Sequence, residues 1–107
     1  MNYVVRWSAY AEHDLEAIAD YIAEHDSTER AQYLIDKILG TVGSLTALPD
    51  KDNYPKELLA FGNREFRQIF FRPYRLIYQM AGKLVTVMLV ADGRRDMPTL
   101  LAQRLLG

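Results

Sequence analysis

The chain contains no cysteine, which excludes disulfide staples and thiolate metal sites and fits a reducing, cytoplasmic setting. Histidine is almost as scarce. His13 and His25 are the only two; both lie in acidic, polar stretches, without the i, i+4 spacing of a helical metal site. No apolar run approaches the ~20 residues of a membrane span. The opening Met1-Asn2-Tyr3-Val4-Val5-Arg6 lacks the charged-then-apolar layout of a secretion signal. No phosphate loop is present, since Gly93-Arg94-Arg95 does not supply one, and no nucleophile elbow. Two histidines in one acidic region cannot complete a Ser/His/Asp set. These absences point away from a self-contained enzyme and imply no metal and no cofactor.

What is present is one domain's worth of chain: 107 residues, half of them apolar and a quarter charged, expected to fold as a single unit over 1–107. The formal charge of −1 conceals a segregation. Residues 1–59 hold five Lys/Arg against eleven Asp/Glu, and residues 60–107 hold eight against three. A basic C-terminal half is suited to meeting an anionic partner.

Tyr3-Val4-Val5-Arg6-Trp7 is β-branched and aromatic and reads as a strand. Ser8 is a candidate N-cap for a helix in which Ala11, Leu15, Ile18, Ala19 and Ile22 form one apolar stripe up to about Glu24. A second helix is predicted to open at Asp26, with Glu29 as its capping-box partner. Its stripe runs from Ala31 through Leu34, Ile38 and Val42 to Leu45, and Pro49 closes it. Leu15, Ile18, Ile22, Leu34, Ile38 and Leu45 are the expected core. Gly40 and Gly43 each cost about 1 kcal/mol in a helix interior relative to Ala, which suggests close packing there. Asp50 to Asn63 is loop-like, with a helical turn near Leu58-Leu59. Three strands follow at about Glu65–Phe71, Tyr74–Met80 and Leu84–Ala91, joined by Arg72-Pro73 and Ala81-Gly82-Lys83. Pro98 to Leu106 reads as a short amphipathic helix. The order is βααβββα, an α+β fold: an antiparallel sheet with an αα-hairpin packed on one face and a short C-terminal helix.

Among residues that could carry chemistry, Glu12, Asp14, Glu16, Asp20 and Glu24 have the pattern of a helix's solvated face. The arginines are a different matter. Arg67, Arg72, Arg75, Arg94, Arg95 and Arg104 fall in the strands and in the segment after them. Each alone could simply solubilise a sheet surface. Together they suggest a binding face, with Arg67, Arg75, Arg94 and Arg95 converging on one anionic group if their side chains share a face. The strand aromatics, Phe66, Phe70, Phe71, Tyr74 and Tyr78 among them, are expected in the core and in cross-strand pairs.

Taken in order, several short motifs carry a family resemblance: Trp7-Ser8, Ala11, Asp14-Leu15, Ile18 and Tyr21-Ile22; Leu45 and Pro49; Glu57-Leu58 and Gly62; Arg67; Tyr74-Arg75-Leu76-Ile77-Tyr78; Arg94-Arg95-Asp96, Leu101 and Arg104. From Tyr3 to Leu105 the chain resembles the RelE/ParE superfamily of bacterial type II toxins, and its ParE branch most. The resemblance implies a toxin neutralised by a cognate antitoxin, often serving plasmid stabilisation, and one of two activities. One branch cleaves messenger RNA in the ribosomal decoding site; ParE poisons DNA gyrase and stalls replication. Arg75 matches an arginine of the nuclease site and Arg67 falls at one of its basic positions. The Tyr or His that nucleases carry near the C-terminus has no counterpart in 93–107, and the site's lysines are missing too. Arginine grips phosphate but is a poor proton shuttle. A pI of about 6.1 also suits a protein target better than ribosomal RNA, where phosphate neutralisation supplies affinity.

The resemblance therefore implies a non-enzymatic gyrase inhibitor that forms a hetero-oligomer with its antitoxin, without sequence-specific nucleic-acid binding. The antitoxin tail would fold onto this surface as an amphipathic helix or an added strand. A ribosome-dependent endoribonuclease and a non-toxic binding module on the same fold are the alternatives.

Overall fold

The computed structural model describes residues 2–50 and 53–106; Met1, Gly107 and positions 51 and 52 of the expected Asp50–Asn63 loop lie outside them. Strand β1 (Val4–Trp7) leads into helices α1 (Ala9–His25) and α2 (Thr28–Gly43) and a 3-10 turn (Ser44–Thr46). After the short helix α3 (Lys56–Leu59) come β2 (Phe66–Phe71), β3 (Tyr74–Ala81) and β4 (Leu84–Asp92). The C-terminal helix α4 (Met97–Leu101) continues into a π-helical turn (Ala102–Leu106). No helix among the described residues is long and apolar enough to cross a membrane.

Local chemistry sets the helix boundaries. Ser8 caps α1, its Oγ accepting from the Ala11 amide at 3.1 Å. Ser27 caps α2 in the same way, accepting from the Arg30 amide at 3.0 Å. The expected start at Asp26 is thus displaced by one residue, because the Asp26 amide donates to Ile22 O at 2.8 Å and terminates α1 instead. With Ser27 as the cap, Glu29 falls one position short of a capping-box partner and meets only the positive end of the helix. Gly40 and Gly43 are exposed, and a Cβ at either would meet no atom within 4 Å. Close packing therefore does not account for them, and nothing in the structure explains Gly40.

The sheet order is β1-β4-β3-β2. The last three strands form the antiparallel meander, while β1 joins β4 in parallel. This departs from an all-antiparallel sheet, and the cause is the helical hairpin. The hairpin returns the chain to the end where β1 began, as the bond from the Tyr3 amide to Thr46 O (2.7 Å) shows. β2 therefore starts at that end too, and two reversals later β4 runs the same way as β1.

Sheet faces alternate along each strand, and both are covered. Leu76, Tyr78, Val85, Val87 and Val90 pack under Leu34, Ile38, Val42 and Leu45 of the hairpin layer. On the opposite face Phe66, Ile77, Leu89 and Ala91 pack under Leu58 of α3 and Met97, Leu100 and Leu101 of α4. β3 is consequently buried from Arg75 through Tyr78, and the fully buried Tyr78 donates its hydroxyl to Pro49 O. Of the expected core, Leu34, Ile38 and Leu45 are buried, whereas Leu15, Ile18 and Ile22 are only partly so. The small Ala11 and Ala19 supply the buried positions of α1 instead.

Asp14 leaves the solvated face assigned to it. β1 ends opposite Val87, so β4 has no strand neighbour on that side beyond this point. Asp14 Oδ2 accepts from the Val90 amide at 3.0 Å, and Arg104 Nη2 donates to Met88 O at 3.0 Å. Arg104 also holds both oxygens of Asp14. A pair of side chains thus does for β4 what a strand would otherwise do.

Candidate functional site

The structure does not bring the four candidate arginines together. In the β2–β3 hairpin Phe70 pairs with Arg75, and Arg67 pairs with Tyr78. Positions 67 and 70 differ by an odd number, so Arg67 and Arg75 stand on opposite faces of the sheet.

Arg67 lies on the helical-hairpin side, where it donates to Asp50 O at 3.1 Å and to the Tyr54 hydroxyl at 2.9 Å. Its guanidinium sits 4.4 Å from the centre of the Tyr54 ring. It ties down the loop that runs past β2.

Arg75 is interior, with 8% of its surface exposed. Its two Nη atoms grip Glu57 of α3 at 2.7 and 2.8 Å. Gln68 Oε1 accepts from Nε at 3.1 Å and from Nη2 at 2.6 Å. The bond from Arg75, more than burial opposes it, holds the Glu57 carboxyl below the usual carboxylate range. This is a buried, hydrogen-bonded ion pair that fastens α3 to the sheet, not a surface cation.

Arg94 and Arg95 remain on the surface. Tyr74 pairs with Asp92 at the end of the sheet, and the chain turns just beyond. Asp92 organises that turn: its Oδ1 accepts from the Arg94 amide and from Arg94 Nε, both at 2.9 Å, and its Oδ2 accepts from Nη2 at 2.5 Å. The Arg95 amide donates to Asp92 O at 3.1 Å. Arg95 itself makes no ion pair among the described residues. Arg72, on the neighbouring turn, lies over the Phe70 ring at 4.9 Å.

Arg94 and Arg95, with Asp92, line a groove of about 510 Å³ together with Ala17, Ile18, Tyr21 and Ile22 of α1 and Tyr74 of β3. A second groove, of about 490 Å³, lies between Phe70, Arg72, Pro73, Arg75, Gly93 and Arg94. The incomplete burial of Ile18 and Ile22 thus has a counterpart: both line the groove that Asp92, Arg94 and Arg95 share.

The titratable groups here are poor proton carriers. Hydrogen bonding from Arg94 holds Asp92 below the usual range, so it stays an ionised acceptor already occupied by its neighbour. Burial, reinforced by the charge of Asp92, pushes the Tyr74 phenol up. Arg94 is shifted up by the same bond to Asp92. Among the described residues no group of three or more His, Asp or Glu is placed to hold a metal ion. What the arrangement can do is bind: apolar surface beside Arg95 and an Arg94 whose charge Asp92 partly offsets.

Arg72, one of the six arginines read as a binding face, belongs to this site; so do Tyr21, Tyr74 and Gly93, which sequence patterning does not single out as functional. The signal for Tyr74 was the hairpin register, which places it beside the end of β4; for Tyr21 it was its spacing from Ile18.

A family model for the ParE toxin of the type II toxin-antitoxin system, parDE, matches residues 5–97. The fold is shared with the chromosomal ParDE toxin-antitoxin system of P. aeruginosa, at a TM-score of 0.72 and 19% identity, covering 84% of this chain and 95% of that one. It is also shared with the RelBE2 toxin-antitoxin complex of Mycobacterium tuberculosis, at a TM-score of 0.56 and 18% identity, covering 86% of this chain and 92% of that one. No curated protein matches the sequence.

Proposed function

This chain belongs to the ParE toxin family of type II toxin-antitoxin systems, and from that premise we propose that it arrests growth by binding DNA gyrase through the face carrying Arg94 and Arg95. The observation that carries the reading is the chemistry of that face. Cleaving RNA by attack of a ribose 2′-hydroxyl needs a proton acceptor and a proton donor close to the phosphate. Beside Arg94 and Arg95 stand a carboxylate held ionised by Arg94 and a phenol pushed up by burial. Arg75, the match to a nuclease arginine, is committed to Glu57 and Gln68 in the interior. A groove of apolar residues beside Arg95 and the Asp92-paired Arg94 suits a protein segment that presents apolar and acidic side chains together.

The same groove suits the antitoxin. A tail that is disordered when free and carries carboxylates alongside apolar residues would order along α1 and meet Arg94 and Arg95. Inhibitor and target would then compete for one surface, in the cytoplasm, where gyrase works.

The test has two arms. Purified protein is added to gyrase with supercoiled DNA, and in parallel to ribosomes translating a defined messenger RNA. Loss of supercoiling with intact message is the expected result. Codon-specific cleavage of the message with gyrase unaffected would establish the endoribonuclease reading instead. An induced culture that grows normally would leave only a binding module.

A further inference from the structure

We propose that Arg75 and Gly93 form a seat that positions the Arg94–Arg95 loop, making Arg75 a positioning residue whose guanidinium is spent on Glu57 and Gln68 and whose stem supports the loop; this rests on the reading of that loop as the working face. The argument begins with why position 93 is glycine. The positive-φ glycines among the described residues are Gly62 and Gly82, so Gly93 is not required by a left-handed backbone. It is required by space. A Cβ at Gly93 would lie 3.0 Å from Arg75 Cδ, 3.1 Å from Arg75 Cγ and 3.3 Å from Pro73 O.

A flexible arginine stem would ordinarily swing aside. This one cannot, because its head is fixed by four hydrogen bonds to Glu57 and Gln68 and its root by the β3 ladder. Pro73 O is equally immobile, since it accepts from the Gly93 amide at 2.8 Å. The backbone at 93 therefore rests on a surface that does not yield, and the Asp92 turn then directs Arg94 and Arg95 outward. The buried ion pair on one face of the sheet thus sets where two cations stand at its end.

The test is Gly93→Ala, read in two ways. Backbone amide shifts and hydrogen exchange at positions 93–95 should change while those of β1 and α2 do not. The gyrase-inhibiting concentration should rise at least about tenfold, because a site displaced by a fraction of an ångström loses its fit, with the protein still folded at the assay temperature. In a Glu57→Gln/Arg75→Ala background the stem is gone. There Gly93→Ala should add less than about a twofold further loss, the non-additivity that marks residues in contact.

Unmoved loop amides in Gly93→Ala overturn the proposal, and so does a moved loop with inhibition intact. Equal losses in both backgrounds overturn it as well. If the parent protein does not inhibit gyrase at all, the functional reading fails by itself. The amides of positions 93–95 then decide the positioning claim alone. Should the double-variant background fail to fold, the single variant's two readouts remain decisive.

Discussion

Arg104 and Asp14, ninety positions apart in the chain, meet through two 3.0 Å hydrogen bonds and together close the side of β4 that β1 leaves uncovered. Because Asp14 also accepts from the Val90 amide, Asp14→Ala removes a charged acceptor from a partly buried donor. A loss of about 1.5–3 kcal/mol is expected, read by urea unfolding. Exchange of the Val90 amide should quicken far more than that of Val85, which lies where β1 covers the strand. Equal protection at both would show that the clasp does not seal the edge.

Gly40 offers the opposite sign. It lies inside α2, exposed, with open space where a Cβ would go. Gly40→Ala should therefore stabilise the protein by about 0.4–1 kcal/mol, chiefly by restricting the unfolded chain. A denaturant midpoint that falls on this substitution would mean that α2 packs on something there.

Ile38 has no exposed surface and sits in the middle of the helix-to-sheet core. Truncation to alanine should cost about 2–5 kcal/mol, measured by the shift in denaturant midpoint at constant slope. A cost under about 0.5 kcal/mol, typical of surface positions, would contradict the packing described.

Glu57 makes part of the stability pH-dependent. Its pKa is depressed in the folded chain, principally by the hydrogen bond from Arg75. Such a group contributes stability that is fully present above the unfolded value of about 4.3 and is lost as pH falls through the lower folded value. Glu57→Gln should be less stable than the parent at neutral pH, and the gap should narrow steadily as pH is lowered below about 4.3. A gap that stays constant into acid would mean that the carboxylate charge is not what holds Arg75.

Local patterns carried most of the fold. The three C-terminal strands, both long helices, the turn near Leu58 and the C-terminal helix follow from period, caps and turn residues, because these act over a few positions. Part of the site was also within reach. A two-residue connection at Arg72-Pro73 sets Phe71 opposite Tyr74, and counting back from there places Arg67 and Arg75 on opposite faces. Treating six arginines as one face neglects that alternation. What sequence could not show is which charge meets which. Glu57 lies 18 positions from Arg75 and Asp14 lies 90 from Arg104, and neither helix periodicity nor strand alternation encodes pairs across such distances. The cap of α2 is a smaller case: Asp26 and Ser27 are both good caps, and only the closing bond of α1 decides between them.

The measurement that bears most directly on the central claim is the yield of cleaved DNA trapped by detergent from gyrase incubated with supercoiled plasmid. The parent protein and an Arg94→Ala/Arg95→Ala variant of matched thermal stability are compared. The account predicts that the parent accumulates linear DNA and that the variant does so weakly or not at all, since both side chains are exposed and the fold does not depend on them. A variant that traps DNA as strongly as the parent, or a parent that leaves gyrase untouched while cutting messenger RNA on the ribosome, would contradict it.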